Sequence, residues 1–468
     1  MASSSNIKIH EHIKVVPPSS NQTTSISLTF FDIFWLRFHP IEYILFYTLP
    51  NSQSDTSFFF QTIVPNLKSS LSLTLQHFLP LAGNIVWDFE SQNPKIQYTP
   101  NDGVSLLIAE SDLDFNHVIE NSPKEAYLSR SFIPHLKSTN SFASIISLQI
   151  TLFPKRGFSI GISTHHAVLD GKSSIIFIKA WAYLCNKTFE TEESPTLLQE
   201  LKPIFNREII KDPNGNNSIK ILSKKYPSQK RNERSLKNFH FEPKLKDCVR
   251  ATFELKHEDL DKIKQRVLST WETFDTRESK PQNISSFVLA CAYSLVCLAK
   301  AIHEVQNYKE KFGFVFAVDC RTRLKPPIAN NYIGNCIWGH FIDAQPLDFI
   351  KEDGVSLVAK SIYEKIKMIN EKGFLEEAID DVYNKHSCLT REGFEIFGVA
   401  GSNRFGVYDI DLGWGKPTKV EIVSIDRGLA IGLAESKDGS GGVEVGLVLN
   451  KHVMNFFSTL FHEGLCTH

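Results

Sequence analysis

The chain has 468 residues, more than one hydrophobic core ordinarily supports, so two domains are expected. Its 42% hydrophobic content, 22% charge and 35 phenylalanines describe an ordered globular protein with bulky aromatic filling, not a disordered or fibrous one. A formal net charge of -1 provides no field to draw the chain toward nucleic acid or an anionic membrane, so neither partner is expected, and an anionic ligand would have to meet local basic groups.

The opening residues, MASSSNIKIHEHIKVV, hold no apolar run of the signal-peptide kind, and a cytoplasmic location is expected. Further on, Ile146, Leu148, Ile150 and Leu152 alternate with polar residues, which is the period of a strand. After a PKRG turn, Phe158, Ile160 and Ile162 alternate with Ser159, Gly161 and Ser163. This second strand runs straight into STHHAVLDGKSS, residues 163–174. Beyond Asp170 and Gly171, SSIIFIKAWAYLC reads as a helix with Ser173 available as its cap and Phe177, Trp181 and Leu184 on one face. The double histidine therefore sits at a strand-to-helix junction, a common place for site residues.

Residues 187–238 are polar and rich in turn formers. A structureless connection of that length is uncommon inside a compact domain, so it is expected to cross between domains. The expected division is a domain over 1–190, a linker over 191–238 and a domain over 239–468. In the second half, DLDKIKQRV and residues 284–301 read as helices, and FGFVFAV reads as a buried strand. LAIGLAES and VEVGLVL form a hairpin ahead of an amphipathic helix beginning at His452. The apolar run 284–299 is interrupted by Ser285, Ser286 and Ser294 and falls below the roughly 18 residues of a membrane span, so a buried helix is expected there. Eight cysteines, none in a CxxC pair, point to reduced buried thiols and away from zinc or a disulfide frame. Mixed α/β in both halves is the expected class.

Four readings compete for the double histidine. A phosphate loop would need glycine five positions before Gly171, where His166 stands. A metal site lacks further ligands of matching type nearby. The remaining two are a polar strand end and a general base, and local residues do not separate them. The chain holds two HxxxD matches, His166 with Asp170 and His257 with Asp261, and the second lies in a charged helix start as a solvent-facing pair. In the first match Asp170 stands where it can hold the His166 ring, whereas His165 has Leu169 at that spacing and is expected to be structural.

HHAVLDG, together with DIDLGWGKPTKVE further on, resembles the paired motifs of the plant BAHD acyltransferases, an HxxxD site and a DFGWG segment. Here the second motif reads Asp411, Leu412, Gly413, Trp414, Gly415, with leucine in place of the usual phenylalanine. LTFFDIFWLRF, HFLPLAGNI, VDCRTRLKPPI and NYIGNC are similar to the branch acting on anthocyanins and other phenolic glycosides. The resemblance implies two chloramphenicol-acetyltransferase-like α/β domains with a solvent channel between them, in a monomer. It implies malonyl-CoA, an acyl-CoA, as co-substrate, no resident cofactor or metal, and His166 as general base. The activity implied is transfer of a malonyl group to a sugar hydroxyl of a flavonoid or other phenolic glucoside. A hydroxycinnamoyl donor is the alternative, and a non-catalytic binding module the second. Lys172, Arg321 and Arg323 are the basic groups expected to serve a malonyl carboxylate. By the same resemblance Asp170 is held by Arg321 or Arg323, which share a face if their strand continues. Trp414 is either an oxyanion donor or a brace, with Gly413 and Gly415 making a tight turn beside Asp411. Ser285 and Ser286 are expected at CoA or as plain helix caps, and Thr29 and Asp32 at the acceptor.

Overall fold

The computed structural model describes residues 7–18, 21–91, 93–188, 195–212, 235–238, 247–274, 280–306, 312–343, 350–373 and 395–466. Gly157–Thr164, the strand that leads to the double histidine, pairs antiparallel with Ile146–Phe153 on one side and with Ile41–Thr48 on the other. The sheet around it has six strands, in the order Ile7–Val15, Val104–Ser111, Ile146–Phe153, Gly157–Thr164, Ile41–Thr48, Lys419–Ile422. Alternating serines predict one solvated face for Gly157–Thr164, yet all eight residues are buried. The polar face is covered by the 132–134 segment: Ser163 Oγ donates to the Pro134 carbonyl at 2.7 Å. A Cβ at Gly161 would stand 1.7 Å from the Phe132 carbonyl oxygen, so only glycine lets that cover lie down.

A second sheet of seven strands runs Ile337–Asp343, Phe312–Asp319, Glu395–Gly401, Ala430–Glu435, Val443–Asn450, Cys248–Leu255, Lys124–Glu125. Each half of the chain lends a strand to the other: Lys419–Ile422 closes the first sheet and Lys124–Glu125 edges the second. A small four-stranded sheet, Thr24–Ser27, Lys95–Tyr98, Asn84–Val86 and Phe142–Ser144, completes the strand structure among the described residues.

The helix Gly171–Thr188 buries Phe177, Trp181 and Leu184 completely, as its apolar face predicts. Trp181 Nε1 donates to Ser70 Oγ at 3.0 Å on the neighbouring helix Val64–His77. In the second half the helix Ser286–Gln306 packs against Gly354–Lys372 and Lys451–Cys466. Its segment Ser286–Val305 is in fact long and apolar enough to cross a membrane, at 20 residues, but 78% of it is buried inside the protein. It is a core helix by packing, not by shortness. Cys185, Cys291, Cys297, Cys320 and Cys336 are buried, whereas Cys466 is exposed and Cys388 lies outside the described residues.

The crossover is not a plain tether where it is described. Ile204 forms a parallel bridge to Tyr332, and its carbonyl accepts the Ile333 N–H at 2.9 Å. Arg207 is buried. Leu236 is also buried, its N–H donating to the Asn140 carbonyl at 3.0 Å. Residues 191–194 and 213–234 of the expected linker lie outside the described residues.

Candidate active site

Past Thr164 the backbone folds into a tight turn. The His165 carbonyl accepts the N–H of Val168 at 2.9 Å and of Leu169 at 3.3 Å. The turn closes at Asp170, whose carboxylate accepts the Ser173 N–H at 2.8 Å and whose carbonyl accepts the Ser174 N–H at 2.9 Å. Asp170, not Ser173, is therefore the cap of the helix. Ser173 lies inside the first turn, with its Oγ donating to the Gly334 carbonyl at 3.0 Å. Gly171 sits where a Cβ would meet the Phe405 ring at 3.0 Å.

The two histidines part ways. His165 is buried, its Nδ1 accepts the Ala167 N–H at 3.2 Å, and burial pushes its pKa down to about 3. His166 is half-buried. Its ring lies face to face with the Trp35 indole, centroids 4.0 Å apart and planes 5° from parallel, with the edge of Phe38 at 6.0 Å. Burial lowers its pKa to about 4; nearby His39 pushes the same way, while its own carbonyl and Asp170 oppose. At neutral pH the imidazole is uncharged and able to accept a proton. The exposed His257 and Asp261 form a solvent-facing pair at 3.5 Å.

Spacing suggests that Asp170 steadies the imidazole, but it does something else. Its Oδ2 meets Arg321 Nη1 at 2.9 Å and its Oδ1 meets Nη2 at 3.1 Å, a bidentate pair with both side chains fully buried. Oδ2 also accepts the Cys336 N–H at 3.1 Å. The same guanidinium donates to Ser173 Oγ, to the carbonyls of Tyr332 and Gly334, and to Asp319. Asp170 thus locks the histidine turn to the second half of the chain. The strand carrying DCRTR ends at Asp319, so Arg321 and Arg323 do not share a face: Arg323 turns away to the Asp319 carbonyl at 2.7 Å and Asn370 at 3.0 Å. Lys172 pairs with Asp319 at 3.0 Å and Asn330 at 2.8 Å. All three basic groups expected to serve a malonyl carboxylate are thus engaged inside the protein.

Thr29 and Asp32 form a reciprocal cap on the short helix Phe30–Phe34. Asp32 Oδ2 accepts from the Thr29 backbone and hydroxyl at 2.9 Å each, and Oδ1 accepts the Asn335 backbone at 3.0 Å and side chain at 3.1 Å. Arg207 Nε stands 3.3 Å from Oδ2. Asp32 is wholly buried with both oxygens occupied, which removes it as an acceptor contact and makes it a brace. Asn335 Nδ2 also donates to the His166 carbonyl at 2.7 Å, so this network grips the backbone of the base. Sequence reasoning missed Asn335, Arg207 and Trp35. Asn335 and Trp35 lie inside NYIGNC and LTFFDIFWLRF, and Arg207 was hidden in the supposed linker.

Trp414 does not join His166. Its ring meets the edge of Phe158 at 5.9 Å, and Phe158 is six residues back along the strand from Thr164, about 20 Å at a strand's rise. The Asp411 carbonyl accepts from Asn186, near the far end of the helix Gly171–Thr188, about 22 Å from its start. Both rulers place the segment as a brace and rule out an oxyanion donor. Asp411 Oδ1 accepts the N–H of Gly413 at 2.7 Å and Gly415 at 3.0 Å, a loop needing their φ of 99° and 91°. Ser285 Oγ caps the Val288 N–H at 3.4 Å, and Ser286 Oγ accepts from Asn403 Nδ2 at 2.8 Å. Asn403 and Phe405 tie the start of that helix to the start of Gly171–Thr188. Among the described residues no group of three His, Cys, Asp or Glu is placed to hold a metal ion.

An uncharged, half-buried imidazole, stacked on Trp35 and with its backbone held by Asn335, is equipped to take a proton from an attacking hydroxyl. The chain belongs to the transferase family whose model matches residues 5–463, the BAHD acyltransferases, and is an acyltransferase. It is similar to phenolic glucoside malonyltransferase 1 of Arabidopsis thaliana, 38% identical over 474 residues and 98% of each chain. The malonyl-CoA:anthocyanidin 5-O-glucoside-6''-O-malonyltransferase of the same plant is 38% identical over 476 residues, covering 98% of this chain and 99% of that one. Vinorine synthase, as a solved structure, aligns over 96% of both chains with a TM-score of 0.67 at 20% identity, and shares the fold.

Proposed function

We propose that the chain moves a malonyl group from malonyl-CoA to a sugar hydroxyl of a phenolic glucoside, with His166 as general base. The observation that carries the chemistry is the uncharged, half-open His166 ring, held by Asn335 at its backbone and Trp35 at its face. Nδ1 is enclosed, which leaves Nε2 to meet the hydroxyl. The sugar O–H bond breaks as Nε2 takes the proton and the oxygen attacks the thioester carbon. The tetrahedral intermediate collapses with loss of the C–S bond, and the thiolate recovers the proton from Nε2. The products are the ester and free CoA. Help of this kind is typically worth about 10²–10⁴ in rate.

The malonyl donor is supported by the two malonyltransferases described above. A second reading, a hydroxycinnamoyl donor, is favoured by one observation: Lys172, Arg321 and Arg323 are all engaged, leaving none of them for a free carboxylate. Incubation with malonyl-CoA, coumaroyl-CoA and a panel of glucosides, followed by thiol release, decides between them. Malonyl esters are the expected product, and turnover with coumaroyl-CoA alone would sink the first reading. His166→Ala should lose about 10²–10⁴ in kcat.

A further inference from the structure

A histidine that takes a proton becomes a cation, and in hydrolytic triads a carboxylate on the far ring nitrogen steadies that cation. Here Asp170 is spent on Arg321, and among the described residues no carboxylate meets either nitrogen of His166. The other titratable neighbour that acts on the ring is His39, whose influence opposes a positive charge. Burial opposes it as well. Asp170 favours the charge without touching the ring, and the His166 carbonyl favours it too, but burial outweighs them, so the imidazolium formed during turnover draws on any further group in contact with the ring.

The group in full contact with the ring is the Trp35 indole, 4.0 Å away and 5° from parallel. An indole face carries negative potential, and tryptophan is the strongest aromatic partner for a cation. Trp35 is held in place from several sides. Its backbone N–H donates to the Asp32 carbonyl at 3.0 Å, and the edges of Phe34 and Phe38 meet it at 4.9 Å and 5.0 Å. Its own Nε1 is buried without an acceptor among the described residues, a cost that phenylalanine would avoid in the same space.

We propose that Trp35 is a positioning residue that stabilises the His166 imidazolium through its indole face, taking the part that a carboxylate plays in a triad. The proposal rests on His166 being the base. Its effect belongs to the moment when the ring is charged, so it lowers the barrier and leaves ground-state binding alone.

The test replaces Trp35 with fluorotryptophans carrying one to four fluorines, which withdraw charge from the face while keeping the shape. Stepwise loss of kcat with each fluorine is expected, with KM for malonyl-CoA held within about twofold and an unchanged melting temperature. Trp35→Leu should lose about 30-fold in kcat, equivalent to about 2 kcal/mol, and Trp35→Tyr should fall between. A flat kcat across the fluorine series overturns the proposal, because a purely steric platform would not respond to the charge on the ring. His166→Ala run alongside separates the two ideas. An inactive His166→Ala with a flat fluorine series defeats only the role of Trp35, and an active His166→Ala defeats the base itself.

Discussion

Asp170 and Arg321 show how a motif residue can matter without touching the chemistry. Both are fully buried, and their two hydrogen-bonded contacts at 2.9 Å and 3.1 Å join the histidine turn to the turn after the strand Phe312–Asp319. Removing one partner leaves an uncompensated charge, which typically costs about 3–5 kcal/mol. Asp170→Asn should therefore lower the melting temperature and the activity together, whereas Arg323→Ala, whose contacts reach solvent, should cost less than about 1 kcal/mol. Denaturation midpoints and kcat measured on the same samples check this. An Asp170→Asn enzyme of normal stability but no activity would show a direct chemical role instead. The motif spacing brings His166 and Asp170 into one turn, with Asp170 paired to Arg321 and not to the ring. It could not choose between Arg321 and Arg323, because that depended on where the strand ends, and nothing in DCRTR marks Asp319 as the last residue.

Elements that the sequence names correctly can still be misplaced in space. DLGWG is visible as a turn, since Gly413 and Gly415 both adopt left-handed backbone. Its distance from His166 is set by which end of the strand Gly157–Thr164 and of the helix Gly171–Thr188 it packs against, and no local pattern carries that. The same limit explains the strand itself: alternation marks Phe158, Ile160 and Ile162 as core, but says nothing of the segment that covers Ser159 and Ser163. Trp414 is half-buried against Phe158, so Trp414→Ala should cost about 2–3 kcal/mol, less than a fully buried tryptophan. The kcat of the folded enzyme should stay within about threefold of the parent. A fall of about 10²–10³ in kcat without loss of stability is the mark of a lost oxyanion donor, and would contradict the brace.

Across the whole molecule the two sheets are tied by exchanged strands of four residues and two, Lys419–Ile422 and Lys124–Glu125, too short for any periodic signal. Where they meet, Lys124 pairs with Glu421 at 2.8 Å; burial disfavours the Glu421 carboxylate, but Lys124 and Arg250 outweigh it and hold the pKa down to about 2. His165 and His166 are likewise depressed, by burial, from 6.5 to about 3 and about 4. For every one of these groups the unfolded chain binds more protons at moderately acid pH, so acidification favours unfolding. The histidine contribution is complete above pH 6.5 and is lost as pH falls from there toward about 4 for His166 and about 3 for His165, and that of Glu421 is lost between 4.5 and about 2. Between pH 6 and 5 each neutral buried histidine should add about 1.4 kcal/mol of stability per pH unit to the slope. His166→Gln removes one such proton and keeps a side chain of similar polarity, so its urea midpoint should fall less steeply than the parent's as pH drops from 7 to 5. Equal slopes in the two proteins would mean that His166 is protonated in the fold as readily as in the unfolded chain, and the lowering of its pKa by burial would be refuted.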